Sequence, residues 1–206
     1  MLEFFIAALV IGVAPGPDNL FVLAQSATYG ARLGFCIILG LCTGIAIHTC
    51  LLVAGVSALI AASPTAFFVI QCLGAAYLLY LAYKSFGVKA GVVQMNGVSR
   101  SEPGMTSARS LYMRGIFMNL TNPKVILFVL SLIPPAVRLD RPIHPSLQMA
   151  IFGGEFILAT MIVFGSIALL AGTVKKFLLT SPKANRNLNW FSGAVFVFLA
   201  VALFAL

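Results

Sequence analysis

Apolar residues run along this chain in blocks too long and too evenly apolar for the two-faced helices of a water-soluble core. Six such blocks, at about 2–26, 33–61, 64–86, 109–133, 146–172 and 188–206, each reach the roughly 20 residues a helix needs to cross a hydrocarbon layer about 30 Å thick. The separators are chemically apt. Gly30-Ala31-Arg32 is a tight polar turn, and Ser63-Pro64 caps and starts the third helix. Residues 87–108 form the only long polar connection, Pro134-Pro135 stops the fourth helix, and Lys175-Lys176 ends the fifth. The pattern predicts an all-α integral membrane protein: one transmembrane domain over 1–206 with six transmembrane helices and a linker at about 87–108.

Composition agrees with this reading. The 206 residues are 61% hydrophobic and 9% charged, too few charges to solvate the surface of a soluble domain. The net charge of +8 lies between apolar blocks and forms no patch with aromatic residues, which argues against nucleic acid as a partner. It sorts by side instead. Arg32, Lys84, Lys89, Arg100, Arg109, Arg114, Lys175, Lys176, Lys183 and Arg186 fall on one side of the membrane, and only Arg138 and Arg141 on the other. Ten against two predicts a cytoplasmic linker and two extracytoplasmic termini. Met1-Leu2-Glu3-Phe4-Phe5 lacks the basic start of a secretory signal, so this segment is expected to stay as a helix. Cys36, Cys42, Cys50 and Cys72 lie inside apolar blocks without metal-site spacing, so no metal and no cofactor is expected.

The halves resemble each other. At an offset of 106, Pro17-Asp18-Asn19 lies over Pro123-Lys124-Val125. At 110, Gly55-Val56-Ser57-Ala58-Leu59 lies over Gly165-Ser166-Ile167-Ala168-Leu169, and at 119 Gly74-Ala75-Ala76-Tyr77 lies over Gly193-Ala194-Val195-Phe196. A three-helix unit repeated in this way must be inverted in the membrane, so the expected architecture is an inverted 3+3 repeat, about 1–86 and 109–206.

Chemistry concentrates at two breaks. Ala14-Pro15-Gly16-Pro17 interrupts the first helix at its middle, and Asn119-Leu120-Thr121-Asn122-Pro123 interrupts the fourth. Proline removes backbone hydrogen bonds where unsatisfied groups cost several kcal/mol, and each break exposes a half-helix N-terminus suited to an anion. Asp18 and Lys124 follow the breaks at repeat-equivalent positions; Glu155 and His48 sit near the middles of the fifth and second helices. A charge at mid-bilayer costs roughly 2.5–3.5 kcal/mol even on the gentler scales, so such residues are functional candidates. Asp18 and Lys124 serve either as a site or as an ion pair locking the halves, and His48 either packs or carries protons. Asn19, Asn119 and Asn122 flank the breaks as substrate contacts, whereas Gln25 is expected at the interface. Tyr77, Tyr80 and Tyr83 read as an interfacial anchor or a path lining. The pairs Gly30/Gly34 and Gly40/Gly44 form small-residue ridges for internal packing or a homodimer face. No nucleotide fingerprint or hydrolytic triad is visible, so the chain does not read as an enzyme.

Pro15-Gly16-Pro17-Asp18-Asn19-Leu20, the glycine series through His48-Thr49, Gly74-Ala75-Ala76-Tyr77-Leu78-Leu79-Tyr80-Leu81 and Gly115-Ile116-Phe117-Met118-Asn119-Leu120-Thr121-Asn122-Pro123-Lys124 resemble the motifs of the LysE/RhtB-type amino-acid exporters. The resemblance spans the chain, departing from the family at Pro134-Pro135-Ala136-Val137. It implies a multi-pass protein of a bacterial inner membrane that exports amino acids or close derivatives by proton antiport. A zwitterion's carboxylate can meet the half-helix N-termini and Lys124. Its ammonium can meet Asp18, Glu155 or carbonyls freed near Ala14, and Asp18 or Glu155 then carries the proton. The alternatives are a passive channel or structural subunit and, more remotely, a membrane thiol-disulfide carrier.

Overall fold

The computed structural model describes residues 2–14, 16–62, 64–87, 107–138, 140–173, 182–202 and 204, and among them every regular element is an α-helix. In chain order these are α1 (Leu2–Val13), α2 (Pro17–Tyr29), α3 (Ala31–Ala62), α4 (Pro64–Phe86), α5 (Ala108–Thr121), α6 (Pro123–Ala136), α7 (Pro145–Leu169) and α8 (Pro182–Ala202). Five of the eight begin on proline, whose fixed φ suits the first helical turn and whose missing N–H would have had no partner there. Ser107 caps α5 by accepting from Ser110 N at 3.1 Å. Gly30 ends α2 at φ 87°, a conformation that favours glycine, and its N–H reaches Ser26 O at 2.9 Å.

Both expected breaks are present. α1 and α2 meet at a bend of 63°, and α5 and α6 at one of 57°. By length and apolar content α3 over Ala31–Gly55 and α7 can each cross a membrane, and each bent pair passes the same test when taken as one span. Each half therefore has the same order, a broken pair followed by two long helices. Two boundaries differ from expectation. Pro134 and Pro135 lie inside the last turn of α6; each forgoes its bond to the carbonyl four residues back, and the helix ends one residue later at Ala136. α8 begins six residues before the expected 188, since its polar first turns are helical but not apolar. Pro15, the linker residues 88–106 and Lys175-Lys176 lie outside the described residues.

α3 packs chiefly on α5 and α7, α1 on α7, and α4 on α8. Two apolar clusters form. One gathers Phe4, Phe128, Phe152 and Phe156 with Leu78 and Phe196; Phe4 stands 4.9 Å from Phe152, and Phe128 4.7 Å from Phe156, ring centre to ring centre. The other gathers Phe21, Val22, Ile37, Ile38, Leu111 and Phe164. The outer faces are also apolar: Leu51, Phe117, Leu158, Leu169 and Phe198 are all more than half exposed. An apolar surface of this extent fits hydrocarbon as the surrounding solvent.

Three of the four ridge glycines, Gly34, Gly40 and Gly44, pack internally, whereas a Cβ on Gly30 would meet nothing within 4 Å. A Cβ on Gly40 would meet the Tyr112 carbonyl and stand 2.9 Å from Gly115 Cα, so α3 and α5 touch backbone to backbone. Gly44 faces the Asn119 side chain, and Gly34 the side chains of Ser26 and Ala168. Gly40→Val must push two helices apart, and overpacking of this kind costs about 3 kcal/mol. Its midpoint of thermal aggregation in detergent should fall by several degrees, whereas Gly55→Ala, with nothing within 4 Å, should not move it.

Candidate functional site

Breaking a helix at mid-span frees carbonyls on the first half and N–H groups on the second; this chain answers the α1 carbonyls and caps α6 from within, while Gly16 gives α2 no side-chain cap. At the end of α1, Val10 O accepts from Ala14 N at 3.1 Å. Ile11 O and Ala14 O accept from the Lys124 ammonium at 3.1 and 3.0 Å. Gly12 O accepts from Asn19 Nδ2 at 2.7 Å. Lys124 thus places a cation at the negative end of the α1 dipole, reaching from the opposite half of the chain. Gly16 lies beside it, where a Cβ would stand in ordinary contact with Lys124 Nζ at 3.4 Å.

The second break uses Asn122 twice. Its Oδ1 accepts from Lys124 N at 3.0 Å and caps α6, while its Nδ2 donates to Asp18 Oδ2 at 2.6 Å. That bond ties the first turn of α2 to the first turn of α6. The direct Asp18–Lys124 ion pair is not formed, since Lys124 is turned to the carbonyls of α1 and Asp18 to Asn122.

A small cavity opens between the breaks, with space for little more than a water molecule. Asp18, Asn119, Lys124 and Thr160 supply its polar wall, and Leu41, Ile45, Val125, Phe156 and Phe164 its apolar one. Asp18 and Asn119 are 5% and 2% exposed, yet Asp18 Oδ1 and Asn119 Oδ1 have no hydrogen-bond partner. Buried acceptors without donors are costly and mark a place where a ligand or water belongs.

The sequence-predicted residues separate into groups here. Gly16, Pro17, Asp18, Asn19, Asn119, Asn122, Pro123 and Lys124 converge on the two breaks. Glu155 and His48 are half-buried and do not line the cavity, although Glu155 Oε2 and His48 Nε2 are both unpartnered. Gln25 is buried among the helices. Tyr80 and Tyr83 face outward from α4, which matches an anchor better than a path lining. Cys36, Cys42, Cys50 and Cys72 are free thiols. Sequence reasoning missed Thr160, Phe156 and Phe164; in an apolar helix, only the hydroxyl of Thr160 gave any signal.

The family model described as LysE type translocator matches residues 9–205. A homoserine/homoserine lactone efflux protein of Salmonella typhi is 30% identical over 201 residues, covering 97% of this chain and 93% of the relative. The protein of the same description from Salmonella typhimurium matches to the same extent. The membrane protein YrhP of Bacillus subtilis is 30% identical over 186 residues, 88% of this chain and 87% of its own. No solved structure matches the chain.

Proposed function

The chain belongs to the LysE type translocator family, and from that premise we propose that it exports amino acids or close derivatives across a bacterial inner membrane by proton antiport with alternating access. In this reading residues 1–206 form one transporter domain with six spans. The halves are inverted repeats, the linker is cytoplasmic and both termini are outside.

The observation that carries the reading is Asp18. Its carboxyl is buried between two broken helices, with one oxygen held by Asn122 and the other unpartnered at a cavity. A carboxylate at such depth is neutralised either by a proton or by a substrate ammonium, and the competition between them is what antiport requires. The cavity touches both apolar clusters, through Phe156 on one and Leu41 and Phe164 on the other. Opening one cluster at a time would give access from one side at a time. The Salmonella relatives make homoserine and its lactone the first compounds to test.

Inside-out vesicles with an acid lumen should accumulate labelled homoserine above its outside concentration, and a protonophore should abolish the accumulation. A passive channel would only equilibrate the label. Equilibration without accumulation would therefore overturn the antiport reading.

A further inference from the structure

Most of the features that looked suited to a substrate carboxylate are already engaged by the protein. Asp18 already places an anion in the first turn of α2, whose N-cap Gly16 brings no side-chain bond, and the N-terminus of α6 is capped by Asn122 Oδ1. The Lys124 ammonium, on the cavity wall, is held by Ile11 O and Ala14 O. What the cavity offers is the reverse. Asp18 Oδ1 and Asn119 Oδ1 are acceptors, both on side chains more than nine-tenths buried and neither with a donor. A primary ammonium brings three N–H donors and no acceptor, so it fits this wall. A carboxylate would set its acceptors against both of these, with only the third Lys124 N–H and the Thr160 hydroxyl left on the wall to donate to it. The rest of the lining is apolar apart from the Thr160 hydroxyl; with room for little more than a water molecule, the cavity as it stands fits the ammonium head alone, and the two breaks must part to admit the body behind it.

We infer that the cavity between the two breaks recognises its ligand through the ammonium group and leaves the carboxyl end unread. Its ligand class is compact primary ammonium compounds, including amides, esters and lactones of small amino acids as well as the free acids. The inference rests on the exporter reading for its location, but it concerns binding and is tested apart from transport.

The test uses L-homoserine, L-homoserinamide and N-acetyl-L-homoserine in two measurements. One is thermal stabilisation of the purified full chain, and the other is competition with labelled homoserine in acid-lumen inside-out vesicles. The amide should stabilise and compete within about threefold of homoserine, because the hydrogen-bonded ammonium is intact. The N-acetyl compound, whose ammonium is gone, should be at least roughly 30-fold weaker, since its loss leaves the buried acceptors unpaired. Asp18→Asn should weaken homoserine and its amide equally.

An N-acetyl compound as effective as homoserine, or an amide that fails where the free acid works, overturns the inference while leaving export intact. Stabilisation by the two ammonium compounds without vesicle accumulation upholds the inference and overturns the antiport reading. Stabilisation by none of the three overturns the inference whatever the vesicles show.

Discussion

Asp18→Asn is expected to reduce acid-lumen accumulation of homoserine to the level of empty vesicles while leaving the protein folded. The substitution is nearly isosteric. The new amide oxygen can still accept from Asn122 Nδ2, which now stands 2.6 Å from Asp18 Oδ2, so the tie between α2 and α6 survives. The other position changes sign. Where Oδ1 is now a buried, unpartnered acceptor, an NH2 group presents donors toward the ammonium the cavity is proposed to hold. Losing a hydrogen bond to a charged group costs about 1.5–3 kcal/mol, which weakens binding roughly 10- to 100-fold. Losing the titratable group removes the proton site altogether, so restoring occupancy with more substrate should give downhill flux without accumulation. Glu155→Gln separates the two proton candidates. Glu155 does not line the cavity, so this variant should keep most of its accumulation. If Asp18→Asn keeps its coupling and Glu155→Gln loses it, the proton travels on Glu155.

The positions of the two breaks were legible in the chain, and the direction of the side chains was not. Counting residues inside an apolar block says how far Asp18, His48, Lys124 and Glu155 lie from each end. Pro17 and Pro123 then mark the two bends to the residue, because proline forbids the same backbone bond wherever it stands. Which way a mid-helix residue points requires a helix with a polar and an apolar side. α7 is apolar nearly all round, so nothing in its sequence says that Phe156 and Thr160 reach the cavity while Glu155 does not. The same limit hid the role of Gln148. Its amide donates to Arg138 O and Ile143 O and accepts from Arg138 N, holding the turn between α6 and α7. A polar residue at a helix start gives no hint of partners five and ten positions back. The glycine spacing was visible, but that Gly40 meets Gly115 on α5 becomes apparent only when the two halves are packed together.

Lys124→Met is expected to be the most destabilising single change at the breaks, and its effect distinguishes support of the fold from ligand binding. The Lys124 ammonium is the donor to Ile11 O and Ala14 O, two carbonyls that the break deprives of their own helical partners. Each buried carbonyl left without a donor costs about 1–3 kcal/mol, and losing a cation from a helix C-terminus costs up to about 2 kcal/mol more. A combined cost of about 4 kcal/mol is a large share of the 5–15 kcal/mol typical of a folded domain, so little monodisperse protein should survive extraction and mild heating. Lys124→Arg keeps the charge and can reach the same carbonyls. Its wider planar head must fit beside Gly16, where a Cβ would already lie 3.4 Å from Nζ, so it should restore part of the stability and not all of it. Were Lys124 instead the receptor for a substrate carboxylate, Lys124→Met would stay folded. It would then lose homoserine while keeping homoserinamide, whose carboxyl charge is already absent. Capping α1 requires the opposite pattern: lower stability, and in whatever protein remains folded, an equal loss for the acid and its amide.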